Sequence, residues 1–405
     1  MKTKIYAFLS LCLVAAGVQR VDAQCGARYH DQIFQNVTSH TNVTYSTSNS
    51  TTLKMDIFEP TGDTASMRPL LIMAHGGSFI SGNKSNDNVC TQMCNTFAKR
   101  GYVTASIDYR LDPLGGLGML DSVNAITIVM KAISDGKSAI RFFRKDAATT
   151  NTYKIDPNKV FVGGNSAGAV LYAHVAFIDS VGEAPAHLQT IINNNGGIEG
   201  NSGNDGYPST VTALVNLAGG LNIPEFVSAG NTPSFNAQGD ADLTVPYMCA
   251  KAQNGATPVR LCGLGAMEPL YQQYGLDHYS IVYPGEGHVP WQSNAAEMTE
   301  IDTTTANFLY PYACTGVAAG INDVKQTAEI VMFPNPASNE LNIRSNAKVS
   351  TVSIFNNMGQ LVVSTNFESN VGKVNTGDLS SGIYLVRIEF KDKNIATSMK
   401  KILVD

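Results

Sequence analysis

The stretch Lys159-Val160-Phe161-Val162-Gly163-Gly164-Asn165-Ser166-Ala167-Gly168-Ala169-Val170-Leu171 reads as a buried strand, a tight turn and the start of a helix. Val160 to Gly163 is a short apolar run, and the helix is expected over Ala167 to Phe177. Ser166 then stands at the apex of the turn, in a strained backbone conformation. Small residues two before and two after it let strand and helix approach closely. The motif alone is weak: with 36 glycines in 405 residues, chance supplies about 0.2 such matches per chain. The strand before it and the helix after it give it weight.

The same alternation extends outward. Pro69 to Ala74, Tyr102 to Ile107, Val211 to Leu217, Ser234 to Gln238 and Tyr279 to Tyr283 are further short apolar runs. Asp121 to Phe143 carries Val123, Ile126, Val129, Ile133, Ile140 and Phe143 at helical spacing. Short buried strands separated by helices predict a mostly parallel sheet covered on both faces. Asn36 to Thr52, rich in Ser, Thr and Asn, reads as polar strands or loop.

Composition excludes several classes. Hydrophobic residues make up 43% and charged residues 15%, as in an ordinary globular protein. A net charge of -5 is mild, and no basic patch points to nucleic acid. Lys2 and Lys4 followed by the apolar run Ile5 to Val18, then Val21-Asp22-Ala23, read as a signal peptide over residues 1–23. The run is short for a bilayer span, and no later stretch is apolar enough for one. Six cysteines follow the expected cleavage: Cys25, Cys90, Cys94, Cys249, Cys262 and Cys314. An even number in an exported chain suggests disulfides. Closeness in sequence favours Cys90 with Cys94 and Cys249 with Cys262, leaving Cys25 with Cys314.

A serine nucleophile needs a base, an orienting carboxylate and donors for an oxyanion. His75-Gly76-Gly77-Ser78-Phe79 follows the run ending at Ala74, and a Gly-rich loop there brings backbone N–H groups close to a substrate. Gly77 and Ser78, with Ala167 after the nucleophile, are the candidate oxyanion donors. For a nucleophile on this kind of turn, the acid and then the histidine follow in the chain. His278 precedes the strand Tyr279 to Tyr283, whereas His288 lies in the loop after it. Sites in open α/β sheets form at the C-terminal strand ends, which selects His288. Asp240 and Asp242, both after the strand Ser234 to Gln238, are candidates for the acid.

Together these motifs, over Leu53 to Trp291, resemble the α/β-hydrolase superfamily, and within it carboxylesterases and carbohydrate-side-chain esterases with a His-Gly-Gly loop. The resemblance implies an acid in a Gly-x-x-Asp-x-x-Val-Pro stretch, matched by Gly239, Asp242, Val245 and Pro246, and so favours Asp242 over Asp240. It implies a Ser166-His288-Asp242 triad, an acyl-enzyme on an ester substrate, and no metal or organic cofactor. Asp108-Tyr109-Arg110-Leu111 also fits the family and is expected to be structural. Two positions depart from the pattern: Ser78 stands where a third glycine is common, and Ala169 where a glycine often follows the elbow. Acetyl or feruloyl esters of plant polysaccharide are the expected substrates; a broad carboxylesterase or polyester hydrolase, a prolyl-oligopeptidase-like peptidase, and a non-catalytic binding protein are the alternatives. The Gly- and Asn-rich segment Ile198 to Pro208 is expected over the site, and Trp291 either lines the pocket or belongs to the core.

Beyond Cys314 the helical period stops. Residues 315–327 read as a linker between a catalytic domain, 24–314, and a small all-β sandwich, 328–405. Strands are expected at Ile330 to Phe333, Glu340 to Ile343, Val349 to Phe355, Gln360 to Thr365 and Ile383 to Phe390. Phe333-Pro334-Asn335-Pro336-Ala337, Val352-Ser353-Ile354-Phe355 with Met358-Gly359-Gln360, and Leu379-Ser380-Ser381-Gly382-Ile383-Tyr384 resemble the C-terminal sorting domain of the Bacteroidetes type IX secretion system. That resemblance implies export by the type IX machinery to the cell surface or beyond.

Overall fold

A computed structural model describes residues 25–48, 51–314, 328, 330–356, 361–392 and 398–404. The expected signal peptide, residues 1–23, the expected linker, 315–327, and the Met358-Gly359-Gln360 motif lie outside the described residues. The chain divides into two compact units, one up to Val317 and one from Ala318.

In the larger unit, the polar segment after Cys25 forms an antiparallel hairpin of β1 (Val37–Ser48) and β2 (Thr51–Pro60). Then follow β3 (Arg68–Ala74), α1 (Asn88–Lys99), β4 (Val103–Ile107), α2 (Ser122–Ala148), β5 (Ile155–Asn165), α3 (Ala167–Phe177) and α4 (Ala186–Asn194). The unit continues through β6 (Ala213–Leu217), β7 (Ser234–Gly239), β8 (Cys249–Lys251), β9 (Arg260–Cys262), α5 (Leu264–Tyr274), β10 (His278–Tyr283) and α6 (Ala295–Cys314). One eight-stranded sheet runs β1-β2-β4-β3-β5-β6-β7-β10, and every pairing from β4 onward is parallel.

The central strands read as unbroken apolar runs because both faces are covered: all seven residues of β3 are buried. Successive side chains still point to opposite faces. Leu70, Ile72 and Ala74 pack with Ile133, Ile140 and Phe143 of α2 and Leu171 of α3. Leu71 and Met73 pack with Met93 and Phe97 of α1 and Ile301 and Leu309 of α6. Each fully buried side chain of this size contributes roughly 2 kcal/mol relative to exposure. The long α2 starts where the Asp121 carboxylate accepts the Asn124 N–H, a side-chain cap that satisfies one orphan donor.

Two disulfides occur among the described residues, Cys25–Cys314 and Cys249–Cys262. The second joins directly paired residues of β8 and β9. The expected Cys90–Cys94 bridge is absent, and both are buried free thiols on α1. Helix geometry explains the correction. Residues four apart on a helix hold their Cβ atoms about 5–6 Å apart, whereas a disulfide needs about 3.5–4.5 Å. The Cys90 thiol instead donates to the Ala74 carbonyl at 3.2 Å.

The segment Ile198 to Pro208 is also placed differently from expectation. Ser202 bonds Ser134, Asp135 and Arg110, and Arg141 donates to the carbonyls of Glu199 and Gly203. These bonds pin the segment along α2, and none of its residues lines either cavity at Ser166. Arg110 pairs with the buried Asp135 at 2.7 Å, so the Asp108-Tyr109-Arg110-Leu111 stretch is a structural anchor.

The smaller unit consists of β11 (Ile330–Phe333), β12 (Glu340–Ser345), β13 (Val349–Phe355), β14 (Leu361–Asn366), β15 (Val371–Asn375), β16 (Gly382–Phe390) and β17 (Ser398–Val404). They form two antiparallel sheets, β11-β12-β15 and β14-β13-β16-β17, around a buried cluster that includes Leu341, Val352, Ile354, Val386 and Ile402.

Candidate active site

Parallel strands β5, β7 and β10 end on the same edge of the sheet, so the loops that follow them converge. The turn after β5 places Ser166 at φ 54 and ψ -116, as the residue preceding α3. Such a φ is uncommon for a residue with a side chain. The flanking glycines are required by contact: a Cβ on Gly164 would lie 2.3 Å from the Gly168 carbonyl carbon, and one on Gly168 would lie 1.9 Å from the Ala74 oxygen. The Ser166 N–H donates to the Leu217 carbonyl at 2.8 Å, which holds the turn against β6.

The Ser166 Oγ lies 2.7 Å from His288 Nε2, and His288 Nδ1 lies 2.7 Å from Asp242 Oδ2. A carboxylate only accepts, so Nδ1 carries the proton and Nε2 offers its lone pair to the serine hydroxyl. The Asp242 side chain has no exposed surface. It accepts from the backbone N–H groups of Thr244 and Val245 at 2.9 and 3.1 Å, and from Gln238 Nε2 at 3.2 Å. Its rival Asp240 accepts from the Gly285 N–H at 2.6 Å and does not reach the imidazole. His278, at the start of β10, binds Glu268 at 3.0 Å.

The loop after β3 completes the setting. Gly77 stands at φ 118, and a Cβ there would meet the Ser81 carbonyl oxygen at 2.0 Å. Ser78 and Phe79 both hold positive φ, at 59 and 61. Ser78 keeps that conformation with an anchor: its Oγ accepts from Gln253 Nε2 at 2.8 Å. Val289, beside His288, also has positive φ. Strained residues thus gather around Ser166, as they do where surrounding packing over-determines a site. Ala167 opens α3, so its N–H has no intrahelical partner and is free to face a ligand.

Three supporting residues escaped the sequence reading. Asp87 caps α1 and also accepts from the Gly76 N–H at 2.8 Å and Asn165 Nδ2 at 3.2 Å, so one carboxylate ties the Gly-rich loop to the turn. Gln238 orients Asp242, and Gln253 orients Ser78. None lies in a recognisable motif; only the N-capping position of Asp87 before a helix was readable. His75 is buried, stacked on Tyr109 at 4.3 Å, and its desolvated imidazole is held below its usual pKa. Trp291 belongs to the core beneath the site, 1% exposed, with its indole N–H directed at Asn165.

Two cavities meet at Ser166. A polar cleft is lined by His75, Gly76, Gly77, Asp87, His288 and Gln292. A second, narrow cavity runs inward between α2, α3 and α4, walled mainly by apolar side chains such as Phe79, Ile133, Val170, Leu188 and Phe226. Ser78, Ser166 and Thr244 line both.

Residues 55–223 match the BD-FAE family model, and residues 331–405 match the secretion system C-terminal sorting domain. The larger unit has the α/β-hydrolase fold. It is 33% identical over 125 residues to phenmedipham hydrolase of Pseudarthrobacter oxydans, covering 31% of this chain and 23% of that protein. A probable isoprenylcysteine alpha-carbonyl methylesterase of Oryza sativa subsp. japonica is 29% identical over 142 residues, 34% of this chain and 29% of that one. The chain therefore matches only about a quarter to a third of the length of these curated relatives. Among solved structures, a truncated carbohydrate esterase from gut microbiota superposes with TM-score 0.50 at 20% identity, over 70% of this chain and 98% of that one. Thermogutta terrifontis esterase 2 superposes with TM-score 0.49 at 20% identity, over 68% of this chain and 95% of that one. At such identity the likeness concerns the fold of the hydrolase unit. No described helix is long and apolar enough to cross a membrane.

Proposed function

We propose that the hydrolase unit is a serine carboxylic-ester hydrolase working through an acyl-enzyme, with Ser166, His288 and Asp242 as its triad. The observation that carries this is the unbroken relay from Ser166 Oγ to His288 Nε2 and from His288 Nδ1 to Asp242, 2.7 Å at each step. Ser166 Oγ attacks the ester carbonyl carbon while His288 Nε2 takes the hydroxyl proton. Asp242 holds the imidazole in its tautomer and stabilises the imidazolium. The N–H of Ala167, with those of Gly77 and Ser78, receives the oxyanion. His288 then protonates the leaving alcohol, and a water repeats the cycle on the acyl-enzyme. Names given to the relatives, an esterase, a methylesterase and a hydrolase, agree with this reading.

Shape narrows the substrate. An alcohol carried on a polysaccharide is bulky and hydrated, and suits the polar cleft. An interior apolar cavity then takes the acyl group, whose burial supplies binding energy. Its apolar lining extends from Ser166 as far as Leu188 and Phe226, which favours feruloyl-like acyl groups over acetyl. A broad carboxylesterase is the second reading, because the same cavity suits aliphatic chains.

The test is a p-nitrophenyl and methyl ester panel, run on the wild type and on Ser166→Ala. Hydrolysis by the wild type that disappears in the variant, at unchanged melting temperature, is expected. Retention of most activity in the variant removes Ser166 as nucleophile.

Export belongs to the same proposal: removal of residues 1–23, then passage through the type IX machinery by means of the sorting domain, places the enzyme outside the cell or on its surface. N-terminal sequencing of the exported protein should begin at Gln24. A product still starting at Met1 argues against the signal peptide.

A further inference from the structure

The Gly-rich loop after β3 is anchored residue by residue. The Gly76 N–H donates to Asp87, and the His75 carbonyl accepts from the Tyr109 hydroxyl. The Gly77 carbonyl accepts from the N–H groups of Ile80 and Ser81, and the Phe79 carbonyl from that of Asp112. Ser78 is held differently. Its φ of 59 is costly for a residue with a side chain. Among the described residues its one hydrogen bond is the one its Oγ accepts from Gln253 Nε2 at 2.8 Å. The N–H groups of Gly77 and Ser78 meet no protein acceptor among the described residues, and both residues line the polar cleft with Ser166.

Gln253 is itself fixed. It lies between β8 and β9, in a hairpin that the Cys249–Cys262 disulfide closes. Gln253 and Asn254 both hold positive φ, at 57 and 52. Their N–H groups donate to the carbonyls of Thr244 and Leu243 at 2.8 and 2.7 Å. Thr244 in turn donates its N–H to Asp242 at 2.9 Å. One residue thus ties the loop that carries the acid to the loop that faces the nucleophile, 175 positions earlier in the chain.

We propose that Gln253 is a positioning residue for the oxyanion hole: its side-chain amide holds Ser78 in the left-handed conformation that keeps the Gly77 and Ser78 N–H groups turned to the carbonyl oxygen of the ester attacked by Ser166. This rests on the ester-hydrolase reading and adds a residue to its machinery. Gln253 takes no part in bond making. Donors aimed at an oxyanion stabilise the charged transition state more than the neutral ester. Losing the amide therefore weakens the hole while the relay of Ser166, His288 and Asp242 stays in place.

The experiment is a double-mutant cycle of Gln253→Ala with Ser78→Ala. It is read as kcat/KM for p-nitrophenyl acetate and as Ki for butylboronic acid, which bonds to the nucleophile as a tetrahedral anion. Gln253→Ala alone should lower kcat/KM by roughly tenfold to a hundredfold and raise Ki by a similar factor. In the Ser78→Ala background the same change should act within about twofold, because the partner oxygen is already gone. Ser78→Gly should restore much of the activity lost in Gln253→Ala, since glycine adopts positive φ without an anchor. Should Gln253→Ala fail to fold, Gln253→Met keeps the bulk, removes the donor and carries the same expectations. A role confined to packing the hairpin predicts equal losses in both backgrounds and no rescue by Ser78→Gly; that result overturns the proposal, as does wild-type kcat/KM in Gln253→Ala. The two levels stay separable. Hydrolysis that needs Ser166 but ignores Gln253 sinks the positioning role alone, whereas absent hydrolysis, or hydrolysis that survives Ser166→Ala, sinks the underlying reading.

Discussion

Asp240 and Asp242 are two residues apart, yet their environments give them different work. Asp242 is enclosed, accepts three hydrogen bonds besides that of His288, and has no solvent to compete for its charge. Asp240 is exposed and fixes the turn at Gly285. Sequence spacing left both open, because either follows the same strand; burial and the direction of Gln238 separate them. Replacing Asp242 by Asn should reverse the preferred tautomer of His288 and lower kcat by about 10³- to 10⁴-fold. Asp240→Asn should leave kcat within about twofold, since the imidazole does not touch it. Steady-state hydrolysis of p-nitrophenyl butyrate by the two variants checks this, and a large loss in Asp240→Asn would reverse the assignment.

The strands and helices show where periodicity is informative and where it is not. β3, β4 and β6 were readable because burial on both faces demands mostly apolar runs, whereas β7 is buried but carries Asn236 and Gln238, and β10, at the sheet edge, is half exposed. The turn at Ser166 was readable because close approach of β5 and α3 leaves no room for Cβ atoms. In the smaller unit β15 and β17 were missed. β15 buries only Val374 and contains Gly372, placed against the Phe367 ring, while β17 carries Lys400 and Lys401. Neither gives a clean alternation. The supporting shell of the site was equally silent, because Asp87, Gln238 and Gln253 are brought to it by tertiary packing alone. The cysteines illustrate the rule from the other side. Nearness in sequence suggested a bridge on α1 that helix geometry forbids, so free thiols are expected at Cys90 and Cys94. Thiol titration of the protein lacking residues 1–23, in denaturant without reductant, should find two reactive groups per chain. None would mean that α1 is distorted to bridge them, and six would remove both disulfides.

At the scale of the whole molecule, each unit has its own core. The clusters of the hydrolase unit draw on residues up to Ala313, and that of the smaller unit on residues from Ala337. Cys25 and Cys314, 289 residues apart, join the two ends of the hydrolase unit rather than the two units. Closing so long a loop constrains the unfolded chain, and loss of the bridge should cost about 2–4 kcal/mol. The proposed catalytic residues, both cavities and this closure all lie within residues 24–317. That segment, produced alone, should fold, melt at the temperature of the corresponding transition in the full chain, and hydrolyse p-nitrophenyl butyrate with kcat/KM within about twofold. Cys25→Ser should lower its melting temperature by several degrees without changing kcat, because the bridge lies at the chain ends, far along the sequence from Ser166. Calorimetry and steady-state kinetics on the segment decide the matter. A tenfold loss of activity on removing the tail would mean that the sorting domain takes part in building the catalytic unit, and its role could then not be confined to export.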